Sequence, residues 1–122
     1  MTSLEMGSYF PFTSAIVDEI ITRRAPGNYA LGFVRNGRFV PRYIGRAESD
    51  VRGRIKDHLG ESPDYKYFKF RYAASPRDAF LHECMNYHGF IGGLDNWVHP
   101  ARPAGTDLTC PYCEQKAIDS EE

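Results

Sequence analysis

Turn signals and apolar spacing divide the first half of the chain into a pair of strands followed by a helix. Asn36-Gly37 predicts a β-hairpin, because both central positions of a type I′ turn need a positive φ, which Asn and Gly tolerate. The first strand carries Tyr29, and the second carries Tyr43 just before Gly45. Two tyrosines are therefore expected on paired, rigid strands.

The segment after the hairpin is predicted to be a helix over residues 49–59, because its apolar residues recur every four positions. Arg54 and His58 are also four residues apart, so the two side chains should be neighbours on one flank of this helix. The apolar positions are Val51, Ile55 and Leu59.

Three further elements complete the predicted fold. Thr13 or Ser14 caps a first helix that runs to about residue 24, buries Ile16, Ile20 and Ile21, and packs on the sheet. Aromatic residues at 65–72 predict a third strand. Ser75-Pro76, as cap and first-turn residue, begins a helix that carries Glu83. The expected fold is of the α/β (α+β) class, with a short, mainly antiparallel or mixed three-stranded sheet flanked by helices.

Length and composition favour one domain without a membrane segment. A chain of 122 residues with 42% hydrophobic content suits a single core. The expected parts are the N-terminal helix (1–25), the core (26–100) and a C-terminal extension (101–122) that belongs to the same domain. No run of about 18 apolar residues and no signal-peptide pattern is present, so we expect a cytoplasmic protein without a membrane partner.

Basic residues are concentrated in the hairpin and the helix that follows it. Between Arg23 and Lys56 there are nine Lys/Arg against two acids, a net charge of +7, although the whole chain carries −1. This asymmetry is expected where a surface meets phosphates. The candidate nucleic-acid-binding residues are Arg42, Arg46, Arg52 and Lys56.

The order of these motifs resembles the GIY-YIG nuclease superfamily. The tripeptide GNY at 27–29 stands for the first signature, with Asn28 in place of the usual apolar residue, and YIG at 43–45 matches the second signature letter for letter. Arg54 and His58 on the next helix and Glu83 on the following one continue the family's order. The resemblance covers roughly residues 26–100.

The resemblance implies a metal-dependent endonuclease that hydrolyses DNA phosphodiester bonds, with branched or flapped DNA among the possible substrates. Glu83 would hold one Mg²⁺ or Mn²⁺, hard cations that prefer carboxylate oxygen. Arg54 would offer donors to the phosphate oxygens. Asn96 lies where many family members carry an asparagine that supports the site.

The general base is left open by the sequence. By resemblance we favour Tyr43 as the base and Tyr29 as the residue that orients the attacking water. Because a phenol titrates near 10, the base would need a lowered pKa or a proton passed onward, and Arg46 and the metal are candidates to lower it. His58 is the alternative base, or a hydrogen-bond partner of one tyrosine.

The cysteines predict a second, structural metal site. Cys110 and Cys113 form a CxxC knuckle, and Cys84 with His88 forms an i, i+4 pair on the Glu83 helix. Two such pairs can supply a tetrahedral Cys₃His zinc site. His99 is the rival of His88 as the fourth ligand.

Two other functions are compatible with the sequence. One is a catalytically silent, zinc-containing nucleic-acid-binding module, for which the altered GNY signature is the main indication. The other is a dithiol protein that uses Cys110 and Cys113, although no thioredoxin-like βαβ pattern surrounds them. A homodimer or a partner protein would be a source of specificity for so short a chain.

Overall fold

The Asn36-Gly37 hairpin forms as predicted in the computed structural model of the protein, which describes residues 4–96 and 99–113. Asn36 and Gly37 have φ values of 52° and 76°. In chain order the elements are β1 (Phe10–Pro11), α1 (Ser14–Ile20), β2 (Gly27–Arg35), β3 (Arg38–Ala47), α2 (Val51–Lys56), β4 (Tyr67–Tyr72) and α3 (Pro76–Phe90). Residues 114–122 of the predicted C-terminal extension and residues 1–3 lie outside the described part.

The sheet has four antiparallel strands in the order β1-β4-β2-β3, so the fold is α+β. The prediction of three strands was incomplete, because β1 joins the edge of β4 through Phe10 and Pro11. A two-residue strand is too short to show alternation in sequence, and its proline is tolerated because β1 is an edge strand. The central strand is β2, which pairs with both β3 and β4.

Helices α1 and α3 begin at the predicted caps, α2 begins after Asp50 instead of at Ser49, and α1 and α2 end earlier than predicted. Thr13 caps α1 through its side chain, and the helix ends at Ile20. Its buried residues are Val17 and the following Ile21, whereas Ile16 and Ile20 are partly exposed. α2 ends at Lys56, so His58 lies in the turn beyond the helix. α3 begins after Ser75, whose hydroxyl accepts from the Asp78 backbone N–H as predicted.

Alternate residues of β2 face two separate apolar clusters. Tyr29 and Leu31 belong to the cluster that includes residues of α1 and α2. Ala30 belongs to a second cluster, which includes Ile44 of β3 and receives Phe90 of α3. The period of two along β2 therefore places α1 and α2 on one face of the sheet and α3 on the other.

A buried polar link fixes α3 to the sheet. The amide of Asn28 is fully buried; its Nδ2 donates to the Ala79 carbonyl at 2.8 Å, and its Oδ1 accepts from Arg71 Nη1 at 2.7 Å. Arg71 also pairs with Asp78 at 3.0 Å. Asn28 thus has a structural role in this chain, since an apolar residue could not connect β2, β4 and α3.

Among the described residues, no helix combines the length and the apolar character that crossing a bilayer requires.

Asn28→Ala is expected to lower the free energy of unfolding by about 1–3 kcal/mol, because it removes buried hydrogen bonds to Ala79 and Arg71. Urea denaturation of the variant, of Arg71→Ala and of the double variant measures the loss and the coupling between the two side chains. A change below about 0.5 kcal/mol for Asn28→Ala, the range of ordinary surface substitutions, would contradict this role.

Candidate functional site

An open cleft of about 840 Å³ lies along the edge strand β3. It is lined by residues of β2, β3, α2 and α3 together with the segments at 95–96 and 99–101. The cleft brings together most of the residues predicted to be catalytic: Tyr29, Tyr43, Arg54, Glu83 and Asn96. The remaining one, His58, is buried behind Tyr29 and bonds to its hydroxyl.

The position of Tyr29 depends on Gly45, the residue that pairs with it across β2 and β3. A Cβ at Gly45 would lie 2.3 Å from both Cζ and Oη of Tyr29. The Tyr29 ring is only 1% exposed, so it has little room to move away. Glycine in the YIG tripeptide therefore has a steric reason in this chain.

A chain of hydrogen bonds leads from Tyr29 to the surface. The hydroxyl of Tyr29 lies 2.8 Å from His58 Nε2, and His58 Nδ1 lies 2.8 Å from Glu61 Oε1. The His58 ring also packs against Tyr43, with ring centroids 4.7 Å apart. Of the two roles left open for His58, the structure supports that of hydrogen-bond partner of a tyrosine, and the tyrosine is Tyr29.

The surroundings of both tyrosines raise the pKa of the phenol. Burial raises the pKa of Tyr29 well above its ordinary value, and the neighbouring Tyr43 raises it further, while Arg54 opposes the shift. Burial also raises the pKa of Tyr43, as do the carboxylates of Glu83 and Glu61. The protein groups alone therefore do not lower the pKa of Tyr43.

Arg46, expected to lower that pKa, is held instead between two carboxylates. Its Nη1 lies 2.7 Å from Glu83 Oε1, and its Nη2 lies 2.9 Å from Glu48 Oε2. Burial raises the pKa of Glu83, whereas Arg46 acts in the opposite direction. The carboxyl group of Glu83 is thus buried at the cleft with a cation beside one of its oxygens.

Intramolecular ion pairs engage most of the residues predicted to bind nucleic acid. Arg42 pairs with Asp95 at 2.7 Å, and Lys56 pairs with Asp18 at 2.9 Å. Arg46 is engaged as described above, whereas Arg52 is exposed on α2. Three of the nine basic side chains of this segment are therefore paired with carboxylates that lie outside it, and the positive charge available to a ligand is smaller than the sequence count indicates.

Asn96 acts on the backbone of β3. Its Oδ1 accepts from the Ile44 N–H at 3.0 Å, and its Nδ2 donates to the Ile44 carbonyl at 2.8 Å. The preceding residue, Asp95, donates its backbone N–H to the Arg42 carbonyl. These bonds hold the segment at 95–96 against β3 beside the cleft.

Four Cys and His side chains form a group that could hold a metal ion. The ligand atoms of His88, His99, Cys110 and Cys113 all lie within 4.8 Å of one another. His99 is oriented for ligation, because its Nδ1 bonds the Pro100 carbonyl at 2.7 Å. Its buried Nε2 has no hydrogen-bond partner within the described part of the chain. These donors suit zinc.

The composition of this group differs from the predicted set at one ligand. Cys84 lies outside the group and packs in a buried cluster with Phe80 and Cys110. Burial, followed by the neighbouring Cys110, raises the pKa of the Cys84 thiol, as expected for a neutral core side chain. His99, the predicted rival of His88, joins it, so the group is Cys₂His₂.

Two residues at the site were not identified from the sequence. Glu61 follows His58 by three positions, a spacing at which side chains on a helix are neighbours. Both residues, however, lie beyond the end of α2, so helical spacing does not explain their contact. Asp95 binds Arg42 and accepts from the Tyr65 hydroxyl at 3.0 Å. Both of these contacts span distant parts of the chain, and no local pattern marks them.

Comparison of the chain with protein-family models, with curated protein sequences and with solved structures found no match.

Gly45→Ala is expected to lower the free energy of unfolding by about 1–3 kcal/mol, because the added methyl group would overlap the buried Tyr29 phenol. The matched control is Gly93→Ala, whose Cβ would be 3.8 Å from its nearest neighbour, the Phe90 carbonyl oxygen. Urea denaturation compares the two variants, and an equal effect in both would refute the steric role of Gly45.

The purified protein is expected to contain about one zinc ion per chain, as measured by elemental analysis. His99→Ala and Cys110→Ser should each lose most of this zinc and lower the Tm by roughly 10 °C or more. Cys84→Ala is the matched control, since it removes a thiol that lies outside the group, and it should retain zinc. Loss of zinc from Cys84→Ala, with retention in His99→Ala, would restore the Cys₃His set predicted from the sequence.

Proposed function

We propose that the protein is a metal-dependent endonuclease that hydrolyses DNA phosphodiester bonds in the cleft along β3. The observation that carries this proposal is the convergence of Tyr29, Tyr43, Arg54 and Glu83 from four different elements on one open cleft. Phosphodiester hydrolysis needs a directed water and neutralisation of charge on phosphate, and phenol, guanidinium and carboxylate groups are suited to these tasks.

Arg54 is the phosphate-binding residue of this proposal. Its side chain is exposed and lines the cleft, so a phosphate can reach the guanidinium. The planar group presents several N–H donors that match the non-bridging oxygens of a phosphodiester. Arg52 is exposed on the same helix and would extend the contact along the nucleic-acid backbone.

Glu83 would hold Mg²⁺ or Mn²⁺. The donor set fits a hard divalent cation, because Glu83 offers carboxylate oxygen at the cleft and the carboxylates of Glu48, Asp50 and Asp57 belong to residues that also line it. When bound, the ion would supply positive charge to the scissile phosphate and to the leaving oxygen. The guanidinium of Arg46, 2.7 Å from Glu83 Oε1, already places one positive charge beside this carboxylate.

The two tyrosines would direct the attacking water. Tyr43 is half-buried and lines the cleft, so its hydroxyl can receive a proton from water while it passes its own proton to solvent. Tyr29 is fully buried apart from its access to the cleft and is fixed by Gly45 and His58, which suits a residue that orients the water. The attacking oxygen would thus lie between two rigid phenols.

We also propose that the Cys₂His₂ group holds a structural Zn²⁺. His88 belongs to α3, the helix of Glu83, whereas His99 and the next two residues line the cleft. A closed tetrahedral site would fasten this wall of the cleft and the Cys110 segment to α3. The zinc would stabilise the site without contacting the substrate.

The pairing of Glu83 with Arg46 favours a second candidate, a catalytically silent module that binds nucleic acid. In such a protein the carboxylate would be neutralised permanently by the guanidinium instead of by a catalytic cation. Binding without cleavage distinguishes this candidate from the nuclease.

Zinc-replete protein is expected to cleave supercoiled plasmid or branched and flapped DNA when Mg²⁺ or Mn²⁺ is added, and not without an added divalent ion. Glu83→Gln should lower the cleavage rate by about 100-fold or more, because it removes the charge that holds the cation. Gel electrophoresis of the products measures the rate. Thermal melting and zinc content verify that the variant is folded.

The matched control is Glu19→Gln, which neutralises an exposed carboxylate on α1, away from the cleft, and should cleave like the unmodified protein. If folded, zinc-replete protein cleaves none of these substrates, the nuclease proposal fails. A mobility shift that persists in Glu83→Gln would then support the silent binding module.

A further inference from the structure

Glu61 lies at the outer end of the hydrogen-bond chain that begins at the buried hydroxyl of Tyr29. Its carboxylate oxygen is 2.8 Å from Nδ1 of His58, whose Nε2 is 2.8 Å from the Tyr29 hydroxyl. The backbone of the turn holds the pair together, since the Glu61 N–H donates to the His58 carbonyl at 3.1 Å and Gly60 adopts a φ of 77°. Glu61 is therefore placed on His58 by the fold.

An ionised carboxylate can only accept hydrogen bonds, and this decides the tautomer of a neutral His58. The nitrogen that faces Glu61 must carry the proton, so Nδ1 donates and Nε2 keeps its lone pair. The Tyr29 hydroxyl must then donate to Nε2. The hydroxyl proton of Tyr29 is consequently directed to His58, so Oη is an acceptor toward other groups, among them the Arg54 guanidinium, whose hydrogen bond opposes the rise in the Tyr29 pKa.

The opposite tautomer would reverse these directions. With the proton on Nε2, His58 would donate to Tyr29 Oη, and the hydroxyl proton of Tyr29 would be directed elsewhere. Because Tyr29 is 1% exposed and packs against Gly45, the phenol cannot change its position to compensate. The tautomer of His58 therefore determines whether Tyr29 acts as an acceptor or as a donor toward the cleft.

We propose that Glu61 is a positioning residue that holds His58 in the Nδ1-protonated tautomer, so that Tyr29 presents its oxygen as a hydrogen-bond acceptor to the attacking water. This inference rests on the proposed nuclease function for the identity of the water. With Oη as the acceptor, one O–H of the water would donate a hydrogen bond to Tyr29, which orients a lone pair of the water toward phosphorus while the proton lost in the attack goes to Tyr43. Glu61 itself touches no substrate.

A surface ion pair alone would not explain this arrangement. The Glu61 side chain is 51% exposed, whereas the side chain of His58 is 10% exposed, so the pair itself would stabilise the fold only slightly. Its effect is directed inward, because the other ring nitrogen of His58 contacts the hydroxyl of Tyr29, a residue that lines the cleft. Removal of Glu61 should thus alter the chemistry of the cleft more than the stability of the fold.

The test combines nuclear magnetic resonance with cleavage kinetics on the full chain. Long-range ¹H–¹⁵N spectra of uniformly ¹⁵N-labelled protein report which nitrogen of each imidazole carries the proton. His58→Gln assigns the His58 signals among those of the four histidines. We expect the Nδ1-protonated form in the unmodified protein and its loss or inversion in Glu61→Ala.

The kinetic arm uses the same variants on a cleaved DNA substrate. Glu61→Ala should lower kcat by about tenfold or more and leave KM within about twofold, since a misdirected catalytic group affects the transition state more than binding. Glu19→Ala is the matched control, because it removes an exposed glutamate from α1, and it should change neither the His58 spectrum nor kcat.

Each outcome separates this inference from the proposed function. An Nε2-protonated His58 in the unmodified protein, or a spectrum that Glu61→Ala leaves unchanged, overturns the role of Glu61 whether or not DNA is cleaved. An unchanged kcat in Glu61→Ala overturns it as well. If the protein cleaves no DNA, the nuclease proposal fails, and the spectra still decide whether Glu61 sets the polarity of Tyr29.

Discussion

The register between β2 and β3 is the constraint on which the rest of the site depends. It sets Tyr29 opposite Gly45 and Asn28 opposite Arg46. In the first pair, Gly45 leaves room for the Tyr29 ring, because a Cβ at that position would overlap it. In the second pair, the side chains of Asn28 and Arg46 both bond to residues of α3. A shift of β3 by one residue relative to β2 would exchange the faces of β3 alone, separating Tyr43 from His58 and Arg46 from Glu83.

Charge within the cleft is balanced by neighbours on different elements. Arg46 of β3 neutralises Glu83 of α3, and Asp95 neutralises Arg42 of β3. The partly exposed Arg42–Asp95 pair stabilises the fold only slightly, whereas removal of one partner of the buried Arg46–Glu83 pair would leave an uncompensated charge. Both pairs fix the positions of groups that line the cleft. Arg54 is exposed and lines the cleft, so an anion bound in the cleft would be drawn to α2.

Local signals were sufficient to predict the hairpin at Asn36-Gly37, the cap at Ser75 and the positions of both tyrosines, because each depends on a few adjacent residues. The order of the sequence motifs also predicted a set of catalytic residues, and five of these residues line one cleft in the structure. Contacts between distant segments could not be read in this way. Three features depend on which distant segments the folded chain brings together. They are the pairing of β1 with β4, the salt bridge between Lys56 and Asp18, and the presence of His99 in place of Cys84 in the Cys₂His₂ group.

His99 belongs to the Cys₂His₂ group and also lines the cleft. If this group holds zinc as proposed, a strong chelator would remove that ion and disturb the cleft at once, whatever the role of Glu83. Loss of activity in such a buffer would not identify a catalytic cation, and its recovery on adding magnesium alone would depend on how much zinc the protein had kept. A zinc ion proposed for the Cys₂His₂ group and a divalent cation proposed at Glu83 have to be titrated independently.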